Sequence, residues 1–159
     1  MDYDAPSAAA SSVIASLLTL GALYAAVAAM PGLLPLNWLY VLGSALIGPW
    51  STRRAPAYAV GLAAHLSAGI VLSLVFARLF QALSMRTGLA CWGILFATVL
   101  WAVTGWMLGL VDWVHPLTRR GDLRTFGPYG RNYGGATALA LLLGAIAFGA
   151  IFGGLYEIW

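Results

Sequence analysis

The sequence predicts an all-α, polytopic membrane protein whose single domain, residues 1–159, is a four-helix transmembrane bundle. Apolar residues make up 62% of the 159-residue chain and charged residues only 8%. The mean hydropathy is +0.88. A soluble domain carries about a quarter of its residues as charged side chains, which cover its surface. This chain has too few charges for that, so its composition favours a lipid environment.

Charged residues divide the chain into apolar intervals of spanning length. Three intervals carry no Asp, Glu, Lys or Arg: residues 55–77, 87–111 and 132–156. At a rise of about 1.5 Å per residue, a helix over each interval crosses the roughly 30 Å hydrocarbon core of a bilayer. The intervals predict spanning helices over about residues 56–79, 88–112 and 134–157.

The first apolar interval is longer and divides into two segments. Its first part predicts a spanning helix over about residues 11–30, ended by Pro31 and Gly32. Residues 33–48 are apolar but short, and Pro35 and Gly43 interrupt them. Because this segment also carries aromatic side chains typical of the interface, it predicts a helix lying in the membrane surface. A fifth span over the same segment is the alternative.

A weak internal repeat relates the two halves of the chain. Residues 65–76 (HLSAGIVLSLVF) align with residues 145–156 (AIAFGAIFGGLY) at an offset of 80, which pairs Gly69 with Gly149. Each half also has a proline-bearing turn between its two helices. These features predict duplication of a two-helix unit. Chance similarity between helices rich in Ala, Gly and Leu is the alternative.

The chain has eight arginines and no lysine, and six of the eight lie in the loops 31–55 and 113–133. The positive-inside rule places these two loops in the cytoplasm and both termini outside. A net charge of +3 at helix ends is too small to follow a phosphate backbone, so no nucleic-acid partner is expected. The candidates for contacts with lipid headgroups are Arg53, Arg54, Arg119, Arg120 and Arg131.

His65 is the sharpest candidate site because it lies deep within a predicted span. Gly61 and Gly69 stand four residues before and after it, so the three residues share one face of the helix. The glycines would leave room for a flat ring, and the imidazole could then ligate haem or chlorophyll. Two alternatives remain: a neutral imidazole that hydrogen-bonds a neighbouring helix, and a proton or ion path.

Asp112 and His115 end the third predicted span. They offer two metal ligands where a site needs three or four, and arginines follow closely, so no metal site is predicted. The expectation is instead a helix end at the membrane surface, where Asp112 pairs with an arginine at headgroup level. Cys91, the only cysteine, is expected to be a small buried core residue.

No set of residues in the sequence supports catalysis. A Ser/His/Asp arrangement, paired intramembrane carboxylates and a phosphate loop are all absent from it, which argues against hydrolase, protease and kinase chemistry. The interpretation is a non-catalytic accessory subunit of a larger membrane complex, with bound lipids. Its helix-packing residues would be Gly149, Gly153 and Gly154. The alternatives are a haem-, chlorophyll- or carotenoid-binding protein of an electron-transfer or light-harvesting assembly that uses His65, and a small-molecule or ion pathway.

Four short motifs resemble those of an uncharacterised family of small bacterial four-helix membrane proteins. They are the Gly-x3-His-x3-Gly helix at 61–69, the HPL turn at 115–117, the NYGG segment at 132–135 and the Gly-x3-Gly-x2-Tyr ending at 149–156. The resemblance covers most of the chain from about residue 30. It implies the four-span fold and a bacterial cytoplasmic membrane, and it implies no activity. It also implies a histidine in the last helix, where this chain has Ala145.

Overall fold

A computed structural model of the chain describes residues 3–30, 32, 34–48 and 54–159. These residues form helices and connecting turns, with no strand in any of the four ranges. The helices are α1 (Ala5–Ala29), α2 (Trp38–Ile47), α3 (Arg54–Ala82), α4 (Leu89–Val114), α5 (Pro116–Arg120) and α6 (Gly135–Ile158). A 3-10 segment, Pro128–Tyr133, precedes α6.

Four of these helices, α1, α3, α4 and α6, are long and apolar enough to cross a membrane. Their number confirms the four predicted spans, although α1 begins at Ala5, earlier than the predicted residue 11. The chain is an all-α protein of the four-helix transmembrane type. Helix α2 lies within the segment predicted to be interfacial. It has 10 residues, a length of roughly 15 Å, which is half of what a fifth span would need.

Capping residues set the ends of the two short helices. The side chain of Asn37 accepts a hydrogen bond from the Tyr40 N–H at 3.3 Å, which starts α2. Pro116 occupies the first turn of α5, where a missing N–H costs nothing. Gly121 follows α5 in a left-handed conformation, with φ +80°, and its N–H bonds back to the last turn.

The described residues fall into two compact units, and each long helix contributes residues to both. The first unit takes in residues 3–24, 66–101 and 142–159. Its core is a stack of aromatic rings from α3 and α6. Phe80 lies 6.2 Å from Phe152, and Phe152 lies 5.7 Å from Tyr156, between ring centroids. These rings supply most of the large buried side chains of this unit.

The second unit takes in residues 102–141 and the described part of residues 25–65. Its core cluster includes the buried side chains of Leu36, Val41 and Phe126. Phe126 stacks on Tyr133 with ring centroids 5.6 Å apart. This core joins the segment around α2 to the loop that follows α5.

Cys91 lies on an exposed face of α4. The expectation of a buried core residue is therefore wrong. Periodicity could not reveal this, because the apolar residues of α4 continue around the whole helix, as in any helix that meets lipid.

Candidate functional site

His65 lies on α3 opposite the first residue of α2. The indole Nε1–H of Trp38 donates to the Nδ1 atom of His65 at 3.4 Å. The second ring nitrogen, Nε2, is buried and has no hydrogen-bond partner among the residues that the structure describes. The imidazole is therefore held through one nitrogen.

Helix α2 approaches α3 through two glycines. A Cβ at Gly61 would overlap the carbonyl oxygen of Leu39, and a Cβ at Gly43 would overlap the carbonyl oxygen of Ala57. Only glycine permits such an approach of two backbones. Tyr58, one turn before Gly61, accepts a hydrogen bond from the Asn37 amide and strengthens the same contact. The close crossing is what brings Trp38 to His65.

Gly69, on the other side of His65 along α3, faces α1. A Cβ at Gly69 would lie 2.5 Å from the Ser16 hydroxyl oxygen and 3.2 Å from that of Ser12. Both hydroxyl groups are buried and have no hydrogen-bond partner, and the same holds for Ser11 and Ser73. The contact of α1 with α3 at Gly69 therefore buries two hydroxyl groups, those of Ser12 and Ser16, that have no hydrogen-bond partner among the described residues.

The two glycine faces predicted to make room for a flat ring are filled by protein atoms. The Leu39 carbonyl group closes the face of Gly61, and serine hydroxyl groups close that of Gly69. A tetrapyrrole at His65 would still find the imidazole, but the open space beside the two glycines, on which this prediction depended, is filled.

His115 is buried, with 1% of its surface exposed. Its Nε2 atom lies 3.1 Å from the carbonyl oxygen of Val41 on α2, and its Nδ1 atom accepts from the Thr118 N–H at 3.4 Å. Neutral imidazole can donate through one nitrogen and accept through the other. His115 thus starts α5 and ties it to α2. The sequence predicted a helix end at this position, and α4 does end at Val114, directly before His115.

Asp112 organises the loop that precedes α6. Its carboxylate oxygens accept from the backbone N–H groups of Phe126 and Gly127, at 2.6 and 2.9 Å. The expected pairing of Asp112 with an arginine is therefore wrong, since backbone amides take its place. In the same loop Tyr133 donates to the Arg124 carbonyl oxygen at 2.9 Å. Burial, followed by the nearby Asp112 charge, raises the pKa of Tyr133, and Arg124 opposes the rise.

Four of the five arginines proposed to contact lipid headgroups lie on exposed surface. Arg54 begins α3, Arg119 and Arg120 end α5, and Arg131 lies in the 3-10 segment. Arg131 stands 5.8 Å from the Tyr129 ring centroid. The fifth, Arg53, lies outside the described residues.

Two of the three glycines predicted to pack helices lie where α6 meets α4. A Cβ at Gly149 would overlap the carbonyl oxygen of Gly93, and one at Gly153 would overlap that of Leu89. Gly154 makes only an ordinary contact, 3.9 Å from Ala90 to the position of its Cβ.

Glu157 fastens the same two helices at their end. Its two carboxylate oxygens accept from the N–H groups of Gly88 and Leu89, at 2.9 and 2.8 Å. These donors start α4 and would otherwise lack a partner. Sequence reasoning missed this role and also that of Trp38. The signal for Glu157 was that it is the charged residue at the end of the last apolar interval. In a hairpin of α4 and α6, the end of α6 lies beside the beginning of α4.

Comparison with protein-family models, with characterised proteins and with solved structures finds no match to this chain.

Proposed function

We propose that this protein is a non-catalytic integral membrane subunit that packs against larger membrane proteins. The observation that carries the proposal is an unused packing surface on α6. A Cβ at Gly144 would meet no heavy atom within 4 Å beyond its own helix. In a membrane, such an open glycine is typical of a site where another helix approaches closely.

The surroundings of Gly144 support this proposal. Ala136 and Ala140 precede it at four-residue spacing, so the three small residues form a stripe along α6. Leu139 and Leu143 flank the stripe, and each exposes 55% of its surface. The stripe and its flanks resemble the small-residue groove that transmembrane helices use for close association.

The polar residues that sequence reasoning singled out support a structural role. The imidazole of His115 and the carboxylates of Asp112 and Glu157 bind backbone groups of their own chain. Such ties stabilise turns and helix ends. None of the three presents a reactive group to a substrate in these contacts.

The experiment is purification of the native protein in mild detergent, followed by mass spectrometry of the intact assembly. We expect larger membrane subunits in fixed stoichiometry with this chain. Gly144→Ile should release them with little loss of stability of the chain, because a Cβ at this position meets no heavy atom within 4 Å. Val103→Ile, a change at an exposed apolar position of α4 outside the stripe, is the control and should keep them. A wild-type chain that purifies alone contradicts the proposal.

We propose a bacterial cytoplasmic membrane as the location, with loops 31–55 and 113–133 in the cytoplasm and both termini outside. The distribution of arginine supports this orientation. The exposed arginines of these loops, among them Arg54, Arg119, Arg120 and Arg131, would contact lipid phosphates.

A second candidate function is that of a cofactor-binding membrane protein, with haem, chlorophyll or a carotenoid near His65. One observation favours it: the buried Nε2 atom of His65 has no hydrogen-bond partner among the described residues. A visible absorption band of the purified protein that His65→Leu abolishes would support this candidate.

A further inference from the structure

The segment that leads into α6 lies against the side of α4. A Cβ at Gly105 would lie 2.5 Å from the Cδ1 atom of Tyr129, and one at Gly109 would lie 3.4 Å from the ring of Pro128. The Tyr129 hydroxyl donates to the Ala102 carbonyl oxygen at 3.1 Å. Two glycines of a spanning helix thus leave room on its surface, and the ring of Tyr129 occupies it.

The length of α4 shows how deep this ring lies in a bilayer. Helix α4 has 26 residues and is therefore roughly 39 Å long, about 9 Å more than the hydrocarbon core. Gly105 precedes Val114, the last residue of α4, by nine residues, or roughly 14 Å. Even if the whole excess length lay at this end of α4, Gly105 would lie inside the boundary of the core. The Tyr129 ring beside it therefore lies at this boundary, where lipid headgroups meet hydrocarbon.

Arg131 brings a positive charge to the same place. Its guanidinium group stands 5.8 Å from the centroid of the Tyr129 ring, within the range of a cation–π contact. The Arg131 side chain is exposed, and its apolar stem allows the charged group to reach the headgroup level. Trp106, next to Gly105 on α4, exposes 60% of its surface, as is typical of indoles at the membrane interface. The neighbours of Arg131 are therefore those of a lipid-facing position.

No carboxylate of the described residues neutralises this charge. Both oxygens of Asp112 bind backbone amides, and Arg131 forms no ion pair with any residue that the structure describes. The described part of the second unit carries five arginines and two aspartates, so positive charge is in excess around the site. A zwitterionic headgroup brings an ammonium group that this excess repels, whereas an anionic headgroup is attracted.

We propose that Arg131 binds the phosphate of an anionic phospholipid, such as phosphatidylglycerol, at the membrane boundary. Tyr129 acts as a positioning residue, because its ring lies against α4 and holds the guanidinium group over it. The guanidinium fork matches two phosphate oxygens, which a point charge does not. This inference deepens the lipid contacts proposed with the membrane location and does not depend on association with larger subunits.

The first test compares two lipids. The protein in nanodiscs of equal parts phosphatidylglycerol and phosphatidylcholine is released in a mass spectrometer, and the lipids that stay bound are counted. We expect phosphatidylglycerol to be retained in preference. Arg131→Gln should weaken this preference about fivefold, equivalent to about 1 kcal/mol for one arginine near an anionic surface. Arg86→Gln changes an exposed arginine of the first unit; it is the control and should keep the preference.

The second test distinguishes a lipid from a free phosphate. Glycerol 3-phosphate, which carries the same phosphate without acyl chains, is added to the nanodiscs before release. A lipid at the boundary is held by its acyl chains as well as its phosphate, so we expect the retained phosphatidylglycerol to be unchanged. Displacement by glycerol 3-phosphate would show a site for a soluble anion and overturn the proposal.

The third test needs no variant that loses the charge. Protein labelled with 15N-arginine is placed in phosphatidylglycerol bilayers, and solid-state NMR measures the dipolar coupling between guanidinium nitrogens and lipid phosphorus. Arg131→Lys, which keeps the charge, assigns the signal of Arg131 by its absence. We expect this signal to be coupled to phosphorus, and an uncoupled signal overturns the proposal even if Arg131→Gln does not fold.

Two further results overturn the proposal. Equal retention of both lipids by the wild type shows that the site does not select an anionic headgroup. An equal loss of preference in Arg131→Gln and Arg86→Gln shows that total charge decides retention and not this site. Neither result bears on the association with larger subunits, which Gly144→Ile tests separately.

Discussion

Two helix crossings in the first unit show similar geometry made from different chemistry. Where α4 meets α6, a Cβ on Gly93 or on Gly149 would overlap the other glycine's carbonyl oxygen. Where α1 meets α3, Gly69 faces the hydroxyl groups of Ser12 and Ser16. Gly69 and Gly149 are the positions that the offset of 80 pairs in the sequence. One crossing is closed by backbone, which cannot move aside, and the other by side chains that can rotate.

The difference determines how each crossing contributes to stability. At a contact between backbones, Cα–H groups approach carbonyl oxygens that already accept hydrogen bonds within their own helix. No polar group therefore loses its hydrogen-bond partner. The serine contact buries hydroxyl groups without partners, which costs about 1–3 kcal/mol for each group. We therefore expect the crossing of α4 with α6 to be the stable part of this unit and that of α1 with α3 to be the adjustable part.

The largest effect is expected for Gly149→Ala. The new methyl group meets backbone atoms of α4, and the helices must separate, at a cost of about 3 kcal/mol in the free energy of unfolding. Unfolding by SDS titration in mixed micelles measures it. Gly144→Ala on the same helix is the control and should not destabilise the protein, since its Cβ would meet nothing within 4 Å. Equal effects at the two positions would contradict the description of this crossing.

A smaller loss is expected for Gly69→Ala. The added methyl group meets the Ser16 hydroxyl oxygen at 2.5 Å, and this side chain can turn away, so we expect a cost of about 1 kcal/mol. The double variant Gly69→Ala/Ser16→Ala removes the obstructing atom and should recover most of the loss. A double-mutant cycle measures the coupling. Independent effects of the two substitutions would show that these residues do not touch.

The smallest effect is a gain in stability from Ser12→Ala or Ser73→Ala. Each substitution removes a buried hydroxyl group without a partner, which should raise the free energy of unfolding by about 1 kcal/mol. Thr19→Val is the control, because the Thr19 hydroxyl donates to the Ala15 carbonyl oxygen at 2.8 Å. It should bring no gain. Destabilisation by both serine variants would show that these hydroxyl groups have a bound partner.

The sequence was sufficient for the helices but not for the contacts between them. Apolar intervals between charges predicted all four spans because the thickness of the bilayer sets helix length. The spacing of Gly61, His65 and Gly69 predicted that they share one face of α3. It could not tell that α2 and α1 would cover the glycines, because small residues favour the approach of a ring or a helix equally.

The polar residues near the loops were harder to interpret for a different reason. Asp112 binds backbone amides of the loop after α5, and His115 contacts the Val41 carbonyl oxygen on α2. These backbone groups carry no signature in the sequence. A carboxylate can bind an arginine or two amides equally well. Local pattern therefore identified the residues that matter and misjudged what they bind.

The Glu157 carboxylate joins stretches of the chain that a ribosome makes at different times. The two amides it binds lie 69 and 68 residues earlier in the sequence. At usual elongation rates, roughly 3 to 14 s separate their synthesis from that of Glu157. During this interval the amide groups at the beginning of α4 lack the Glu157 carboxylate as their hydrogen-bond acceptor. Closure of this end of α4 is therefore a late step of biogenesis, which follows the insertion of α6.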